Sequence, residues 1–256
     1  MPRKPSQAPP ETAAHTLTLT RARFLKTTGA AAGSVGFMSL FGVTGKALAA
    51  SPDTTQSIID AALTAEQIAT AFYYQGIAGS TASRLGPVHN SNNLNYFQAA
   101  LYQEYQHIQL LSSLGANSLT GSAAPTLYFP NGTFDKSGSF LSLLDALENA
   151  FIGAYLAAVN YWATTAQPVF AEAAAQIMGV EAEHRALGRV TSGSNPPNNL
   201  VLEDALFENV SDAVPVLLPF VQGGSGFTAV SLPSKAQIET AVTQPIIQSI
   251  STPSLA

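Results

Sequence analysis

The chain contains no cysteine among its 256 residues. This absence excludes a disulfide framework and thiolate metal sites, so any bound metal must be held by carboxylate and imidazole groups. Charge is also scarce, since 11% of the residues are charged and 46% are hydrophobic. A chain of this length and apolar content can bury one full-sized core but is short for two. We therefore expect one principal domain.

Basic residues are also scarce. The chain has eleven lysines and arginines, and six of them lie in the first 49 positions. Residues 50–256 keep five basic and fifteen acidic residues, a formal charge of −10. No basic stripe is left in this part of the sequence. Nucleic acids and anionic membrane surfaces are therefore poor partners for it.

Residues 1–49 have the pattern of an export signal. A polar, proline-rich stretch precedes the basic segment RARFLK, nineteen uncharged residues and the sequence ALA at 47–49. We predict cleavage near position 50 and a periplasmic or extracellular mature protein without a membrane segment. The segment TRARFLK resembles the twin-arginine export signal, although Ala22 stands where the second arginine is expected. An uncleaved membrane anchor is the alternative, because the apolar stretch is nearly long enough to cross a bilayer.

Four long segments have apolar residues every three or four positions, which predicts helices rather than strands. Their sequences are apolar almost all round, and this is typical of helices buried in a bundle. Asn92 or Asn93 is the expected cap of the second helix, and Pro168 the expected start of the fourth. The predicted helices are residues 54–78, 93–114, 138–166 and 168–190.

The connections between these helices indicate the type of bundle. The third and fourth helices are joined by two or three residues around Gln167, so they must be antiparallel neighbours. About fourteen residues join the first two helices, and about 23 residues join the second to the third. A structureless loop of 23 residues is unusual in a compact domain. We interpret it as the crossover of a four-helix bundle with one long connection.

Residues 193–256 are predicted to form a helical extension to the bundle of residues 50–192. The pattern indicates a proline-interrupted helical piece at 200–222, a glycine-rich loop, and a short helix at 234–250. This extension either covers the bundle or forms a subunit contact, as in a homodimer.

The motif Glu-x-x-His occurs twice, as Glu104 with His107 and as Glu181 with His184. Residues three positions apart share one face of a helix, so each pair projects together. A single pair is most simply an exposed ion pair. For any one histidine, however, chance places a glutamate three positions earlier in only about 4% of cases, so two pairs among three histidines indicate a shared function.

Each Glu-x-x-His helix follows a helix with a glutamate in its apolar middle, and these glutamates are Glu66 and Glu148. The order along the chain is therefore Glu, Glu-x-x-His, Glu, Glu-x-x-His. Tyr73 and Tyr155 each lie seven residues after the lone glutamate, two turns along the same helix face. The chain thus contains two similar helix pairs.

This pattern resembles the ferritin-like di-iron carboxylate superfamily, whose bundles contribute one Glu from each of two helices and Glu-x-x-His from each of the other two. The resemblance covers residues 54–190 and implies an all-α, ferritin-like four-helix bundle with one long crossover connection and extra C-terminal helices. The implied metal ligands are Glu66, Glu104, His107, Glu148, Glu181 and His184. Within the superfamily, an exported chain with a helical tail is similar to bacterial relatives of the plant desiccation-related proteins.

The resemblance implies two iron ions, or alternatively two manganese ions, as cofactors. Four buried carboxylates would repel one another and lose hydration, whereas two divalent cations about 3.5–4 Å apart make the site formally neutral. Carboxylate oxygen with one imidazole for each metal suits iron or manganese. Open coordination positions would admit dioxygen or peroxide.

Tyr73 and Tyr155 are the candidate catalytic residues, because they could hydrogen-bond the opposite carboxylates or supply an electron; ordinary core packing is the alternative. Asp60 and Asp145 could orient the imidazoles, but exposed helix positions are the simpler interpretation. We interpret the remaining candidates as non-functional. They are His89 and Glu183, expected at the surface, and Trp162, expected in the core.

Three functions fit this constellation. The first is an exported di-metal protein with oxidase, ferroxidase or peroxide-consuming activity. The second is a non-catalytic, stress-protective protein that retains the fold and the site. The third is iron storage in a hollow shell, although no residue pattern identifies shell contacts.

Overall fold

Four long helices form a bundle within residues 52–252. The computed structural model describes residues 52–252 and residue 255. The predicted export signal at 1–49 lies outside the described residues. Each of the four predicted helices is present, with ends within two residues of the expected ones. The helices are α1 (Thr55–Ala78), α2 (Ser91–Ser113), α3 (Ser137–Thr164) and α4 (Pro168–Ser192).

Local signals explain where these helices begin and end. Thr54 starts α1 with a capping box, in which its side chain accepts a hydrogen bond from the backbone N–H of Ser57. Helix α2 begins at Ser91, two residues earlier than predicted, because the side chain of Asn90 provides the cap. Pro168 is the first residue of α4, as predicted, and Gly193 ends that helix in the left-handed conformation with φ of 85°.

The bundle is assembled from two helix pairs. Helix α1 packs along α2, and α3 packs along α4. The pairs meet through contacts of α1 with α3 and of α2 with α4. Residues 165–167 join α3 to α4, and this short link makes them antiparallel neighbours. The arrangement brings the middles of all four helices together in the interior.

The long crossover joins α2 to α3 as predicted, but it contains a strand that its weak periodicity did not indicate. Residues Thr126–Pro130 form strand β1, which pairs antiparallel with β2 (Phe227–Ser231). The side chains of Leu127 and Phe129 point to the same face of β1 and are fully buried. The crossover is therefore fixed to the core by alternating apolar residues and by a partner strand about one hundred positions later.

The C-terminal extension is less helical than predicted. Helix α5 spans only Val214–Gln222, after a 3₁₀ turn at Val210–Asp212. Residues 200–209 are not helical, and Leu206 packs instead against Gly153 of α3. The predicted last helix is divided into α6 (Lys235–Ala241) and α7 (Gln244–Ser249). Pro245 lies in the first turn of α7, and a proline cannot continue the helix that precedes it.

The extension covers the bundle, which was one of the two expected arrangements. Val216, Leu217 and Phe220 belong to the same apolar cluster as core residues of α1, α2 and α3. The rings of Phe129 and Phe220 lie 5.7 Å apart between their centres, so strand β1 and helix α5 share this cluster. The extension and the crossover therefore close one side of the bundle together.

Helix α3 is the most apolar of the four long helices of the bundle. In length and composition it could cross a membrane, and among the described residues it is the one helix that could. Within its most apolar window, however, 61% of the residues are buried inside the fold. This burial is the pattern of a core helix in a bundle.

Gly76 on α1 allows the ring of Phe140 on α3 to pack closely against the helix backbone. A Cβ added at Gly76 would lie 2.5 Å from the ring of Phe140. That ring cannot easily move, because it is fully buried and stacks on Phe72 with ring centres 4.4 Å apart. A Cβ added at Gly179, in α4, would meet no atom within 4 Å.

We expect Gly76→Ala to lower the free energy of unfolding by about 1–3 kcal/mol, because the added methyl overpacks the aromatic cluster. Gly179→Ala is the matched control, and it should raise the free energy of unfolding by about 0.5–1 kcal/mol through helix propensity alone. Urea unfolding followed by far-ultraviolet circular dichroism measures both. Equal stabilities for the two variants would contradict the close packing at Gly76.

Candidate metal centre

The six predicted ligand residues lie together in the middle of the bundle. Every helix contributes at least one of them, and none exposes more than 9% of its surface. Glu66 comes from α1 and Glu148 from α3, while α2 and α4 each contribute a glutamate and a histidine one turn apart. The six are Glu66, Glu104, His107, Glu148, Glu181 and His184.

The two histidines point their Nδ1 atoms at carboxylates from different helices. Nδ1 of His107 lies 3.2 Å from Glu66 Oε2, 3.3 Å from Glu104 Oε2 and 3.4 Å from Glu181 Oε1. Nδ1 of His184 lies 3.0 Å from Glu104 Oε1 and 3.2 Å from Glu181 Oε2. Each imidazole therefore contacts the glutamate of its own motif and also the glutamate of the other motif.

These contacts define two adjacent groups of potential metal ligands. In each group, one ligand atom from every residue lies within 4.8 Å of the others. Glu104 and Glu181 belong to both groups, whereas each lone glutamate and each histidine belongs to one. The first group is Glu66, Glu104, His107 and Glu181, and the second is Glu104, Glu148, Glu181 and His184. The arrangement can hold two neighbouring metal ions that share two carboxylates.

Tyr73 and Tyr155 donate hydrogen bonds to the lone glutamates, which is the first of the two roles considered for them. The hydroxyl of Tyr73 on α1 lies 2.5 Å from Oε1 of Glu148 on α3. The hydroxyl of Tyr155 on α3 donates to Oε1 of Glu66 on α1. Burial, followed by the charge of the bonded carboxylate, raises the pKa of both phenols well above the usual value. Both tyrosines therefore remain protonated donors.

The carboxylates of Glu104, Glu148 and Glu181 differ in pKa. Burial, and then the charge of Glu181, raises the pKa of Glu104 and of Glu148 well above the usual value. Burial also acts to raise the pKa of Glu181, but the close contacts of its carboxylate with the imidazoles of His107 and His184 outweigh burial and lower the pKa. Glu181, which lies between the two imidazoles, therefore keeps its negative charge.

The imidazoles carry the compensating charge. Burial acts to lower the pKa of His107, but the charge of Glu66 and the close contacts with Glu104 and Glu181 outweigh burial and raise the pKa well above the usual value. The pKa of His184 is also raised, because its hydrogen bond to Glu181 and the surrounding carboxylate charge exceed the effect of burial. Carboxylates and imidazoles thus neutralise one another inside the bundle.

Three buried carboxylate oxygens of the cluster accept no hydrogen bond from the described residues, and they are Glu104 Oε1, Glu148 Oε2 and Glu181 Oε1. Glu104 Oε1 lies 3.0 Å from His184 Nδ1, but the geometry of this contact is not that of a hydrogen bond. Buried polar atoms normally have partners, so these oxygens leave acceptor positions for a bound cation. A donor set of carboxylate oxygens and two imidazoles matches the preferences of iron and manganese. The residues therefore fit a pair of such metals.

Gln103 is a site residue that the sequence analysis missed. Its Oε1 lies 2.9 Å from Nε2 of His184. Because a carbonyl oxygen can only accept, Nε2 must carry the proton, and this leaves the Nδ1 lone pair of the neutral ring available for a metal. Gln103 directly precedes Glu104, but it contacts a histidine on another helix, so no local spacing could have identified it.

The two halves of the site are consequently unequal. The side chain of His184 is 2% exposed and uses both ring nitrogens, whereas that of His107 is 11% exposed and makes its hydrogen bonds through Nδ1. The half that contains His184 is therefore better shielded and more firmly oriented.

The structure places the other candidates away from the imidazoles. The carboxylate of Asp60 accepts hydrogen bonds from Asn117 and Gln56. Asp145 forms an ion pair with Arg189, with Nε and Oδ1 2.5 Å apart. The suggested role of Asp60 and Asp145 in orienting the imidazoles is therefore not what the structure shows.

The three remaining residues were interpreted from local sequence alone. Glu183 is exposed and Trp162 is buried in the core, as expected. His89 is half-buried rather than at the surface, because its Nε2 makes a hydrogen bond of 3.1 Å with the carbonyl oxygen of Gly76. This bond fixes the connection between α1 and α2 to the end of α1.

Comparison with known proteins agrees with this geometry. A model of the ferritin-like domain matches residues 54–194, which is more than half of the chain. No curated protein and no solved structure matches the chain. The matched residues contain all four helices of the bundle and all six buried glutamates and histidines. The chain therefore belongs to the ferritin-like domain family.

Proposed function

We propose that this protein binds two iron ions, or alternatively two manganese ions, and uses them to consume dioxygen or peroxide. The ligands are the two overlapping groups, with Glu104 and Glu181 shared by both metals. The single observation that carries the proposal is this sharing, because two sites with common carboxylates hold neighbouring rather than isolated metals. Two cations with four carboxylates form a neutral buried site.

When bound, iron or manganese supplies a centre that changes oxidation state and offers open coordination positions to an oxidant. The protein contributes the arrangement around it. Glu66 and Glu148 are held in place by hydrogen bonds from Tyr155 and Tyr73. The same phenols lie next to the metal ligands and can each supply an electron and a proton. Burial of the site limits the access of water.

The first prediction concerns metal content. Protein purified from metal-replete cells should contain about two iron or manganese ions per chain, measured by elemental analysis. Glu181→Gln should reduce this content strongly, because one substitution removes a ligand from both groups. Glu183→Gln, on the same helix but exposed, is the matched control and should keep both metals. A wild-type protein that contains no iron or manganese would contradict the proposed centre.

The second prediction concerns the inequality of the two halves. Gln103→Ala removes the acceptor that orients His184, so it should weaken the tighter of two metal-binding steps by about 10–100-fold. Titration calorimetry of the metal-free protein with Mn²⁺ measures each step. Gln109→Ala lies on an exposed turn of the same helix and should leave both steps unchanged. Identical isotherms for the two variants would show that Gln103 does not position His184.

The third prediction concerns turnover. Metal-loaded protein, once reduced, should consume dioxygen, which an oxygen electrode measures. Alternatively, it should consume hydrogen peroxide, which a peroxide assay measures. Tyr73→Phe and Tyr155→Phe should keep the metals but slow consumption by about 10–100-fold, because the lone glutamates lose their donors. Tyr96→Phe, an exposed position, is the control. If the loaded protein consumes neither oxidant, the stress-protective role without turnover becomes the better explanation.

We also propose that the protein is exported, with its first 49 residues as the signal. The basic segment, the uncharged stretch and the ALA sequence at 47–49 support this proposal. Fractionation of cells that express the full chain should recover a shortened protein outside the cytoplasm. Full-length protein in the cytoplasmic or membrane fraction would contradict it.

Light scattering on the mature protein would separate a monomer, a homodimer and a hollow storage shell.

A further inference from the structure

An apolar cavity of about 30 Å³ lies beside the metal centre, between α1 and α3. Small side chains on the facing surfaces of the two helices leave this space open, because an alanine does not fill the distance between two helix backbones. The alanines that line the cavity from these helices are Ala61, Ala62, Ala65, Ala150, Ala154 and Ala158.

The C-terminal extension forms the third wall of the cavity. Val210, Ala213, Val216 and Leu217 line it from the side opposite the bundle, and all four are buried. These residues lie outside the segment 54–194 that matches the ferritin-like domain. The cavity is therefore made by the packing of this extension on the bundle.

Tyr155 connects the cavity to the metal centre. Its side chain lines the cavity, and its hydroxyl donates a hydrogen bond to Glu66, one of the proposed ligands. Among the described residues that line the cavity, Tyr155 is the one whose side chain carries a polar group. Tyr155 therefore contacts both the cavity and one of the proposed ligands.

The size and the lining of the cavity restrict what it can hold. A volume of this size accommodates roughly two water-sized spheres, and cavities lined by hydrocarbon side chains stay dry and bind apolar guests. Hydrogen peroxide would lose its hydrogen bonds to water on entering such a space, and this loss is unfavourable. Dioxygen is diatomic and apolar, so it has the right size and loses no hydrogen bond.

We propose that this cavity is a binding site for dioxygen, which it holds next to Tyr155 and the metal centre. The proposal rests on the proposed function, since it assigns dioxygen rather than peroxide as the oxidant of the same centre. The cavity itself, however, can be tested without any metal.

Xenon is the probe for the cavity, because it is an apolar atom that enters dry cavities. Crystals of the protein pressurised with xenon should show xenon between α1 and α3, in the metal-free and in the loaded form alike.

Ala154→Leu places three more carbon atoms in the space, and the xenon should be lost. Ala62→Leu, on the opposite wall, is a second blocking variant in case the first does not fold. Ala163→Leu, exposed on α3, should keep the xenon. A wild-type cavity without xenon would overturn the proposal.

Kinetics test the role of the cavity. A folded blocking variant should retain two metals and its rate with hydrogen peroxide, while its rate with dioxygen falls about tenfold or more. An unchanged dioxygen rate in a variant that no longer binds xenon would overturn the proposed role. If the loaded wild-type protein consumes no dioxygen at all, the proposed dioxygen activity fails. In that case the cavity is not a dioxygen site, even if it binds xenon.

Discussion

Mutual neutralisation of four carboxylates and two imidazoles at one buried point is the constraint on which the rest of the structure depends. An isolated carboxylate inside a helix bundle would be strongly destabilising, because it would lose its hydration without a partner. Here Glu181, which lies between His107 and His184, keeps its negative charge, while the pKa values of Glu104 and Glu148 are raised. This balance needs groups from all four helices. The bundle must therefore bring the middles of its helices to one place.

The surrounding protein makes this centre asymmetric, although the ligand sequence is a repeat. Gln103 orients His184, and no corresponding amide is among the described hydrogen-bond partners of His107. An apolar cavity lies on the side of Tyr155, where the C-terminal extension packs over α1 and α3. A ferritin-like bundle alone does not specify a reaction, since one fold can serve many functions. The contacts that make the two halves different are therefore features of this chain and not of the fold.

The extension and the crossover have a structural role that complements the site. Strand β1 belongs to the crossover and β2 to the extension, so their pairing ties together two segments that are distant in the sequence. Phe129 and Phe220 then bury these segments against the bundle. Because residues 210–217 form one wall of the cavity, the same packing that stabilises the extension also shapes the surroundings of the metal centre.

The sequence by itself determined the four helices and the six residues that meet between them. Helix periodicity and the spacing of three in Glu-x-x-His are local properties, so a linear pattern reports them directly. The repeated order also suggested that Tyr73 and Tyr155 bond the opposite glutamates. Only the tertiary structure decided the pairing of β1 with β2, the contact of Gln103 with His184 and the cavity beside Tyr155. Each of these joins groups on different elements, and their positions depend on how whole helices and strands pack, which no local spacing records.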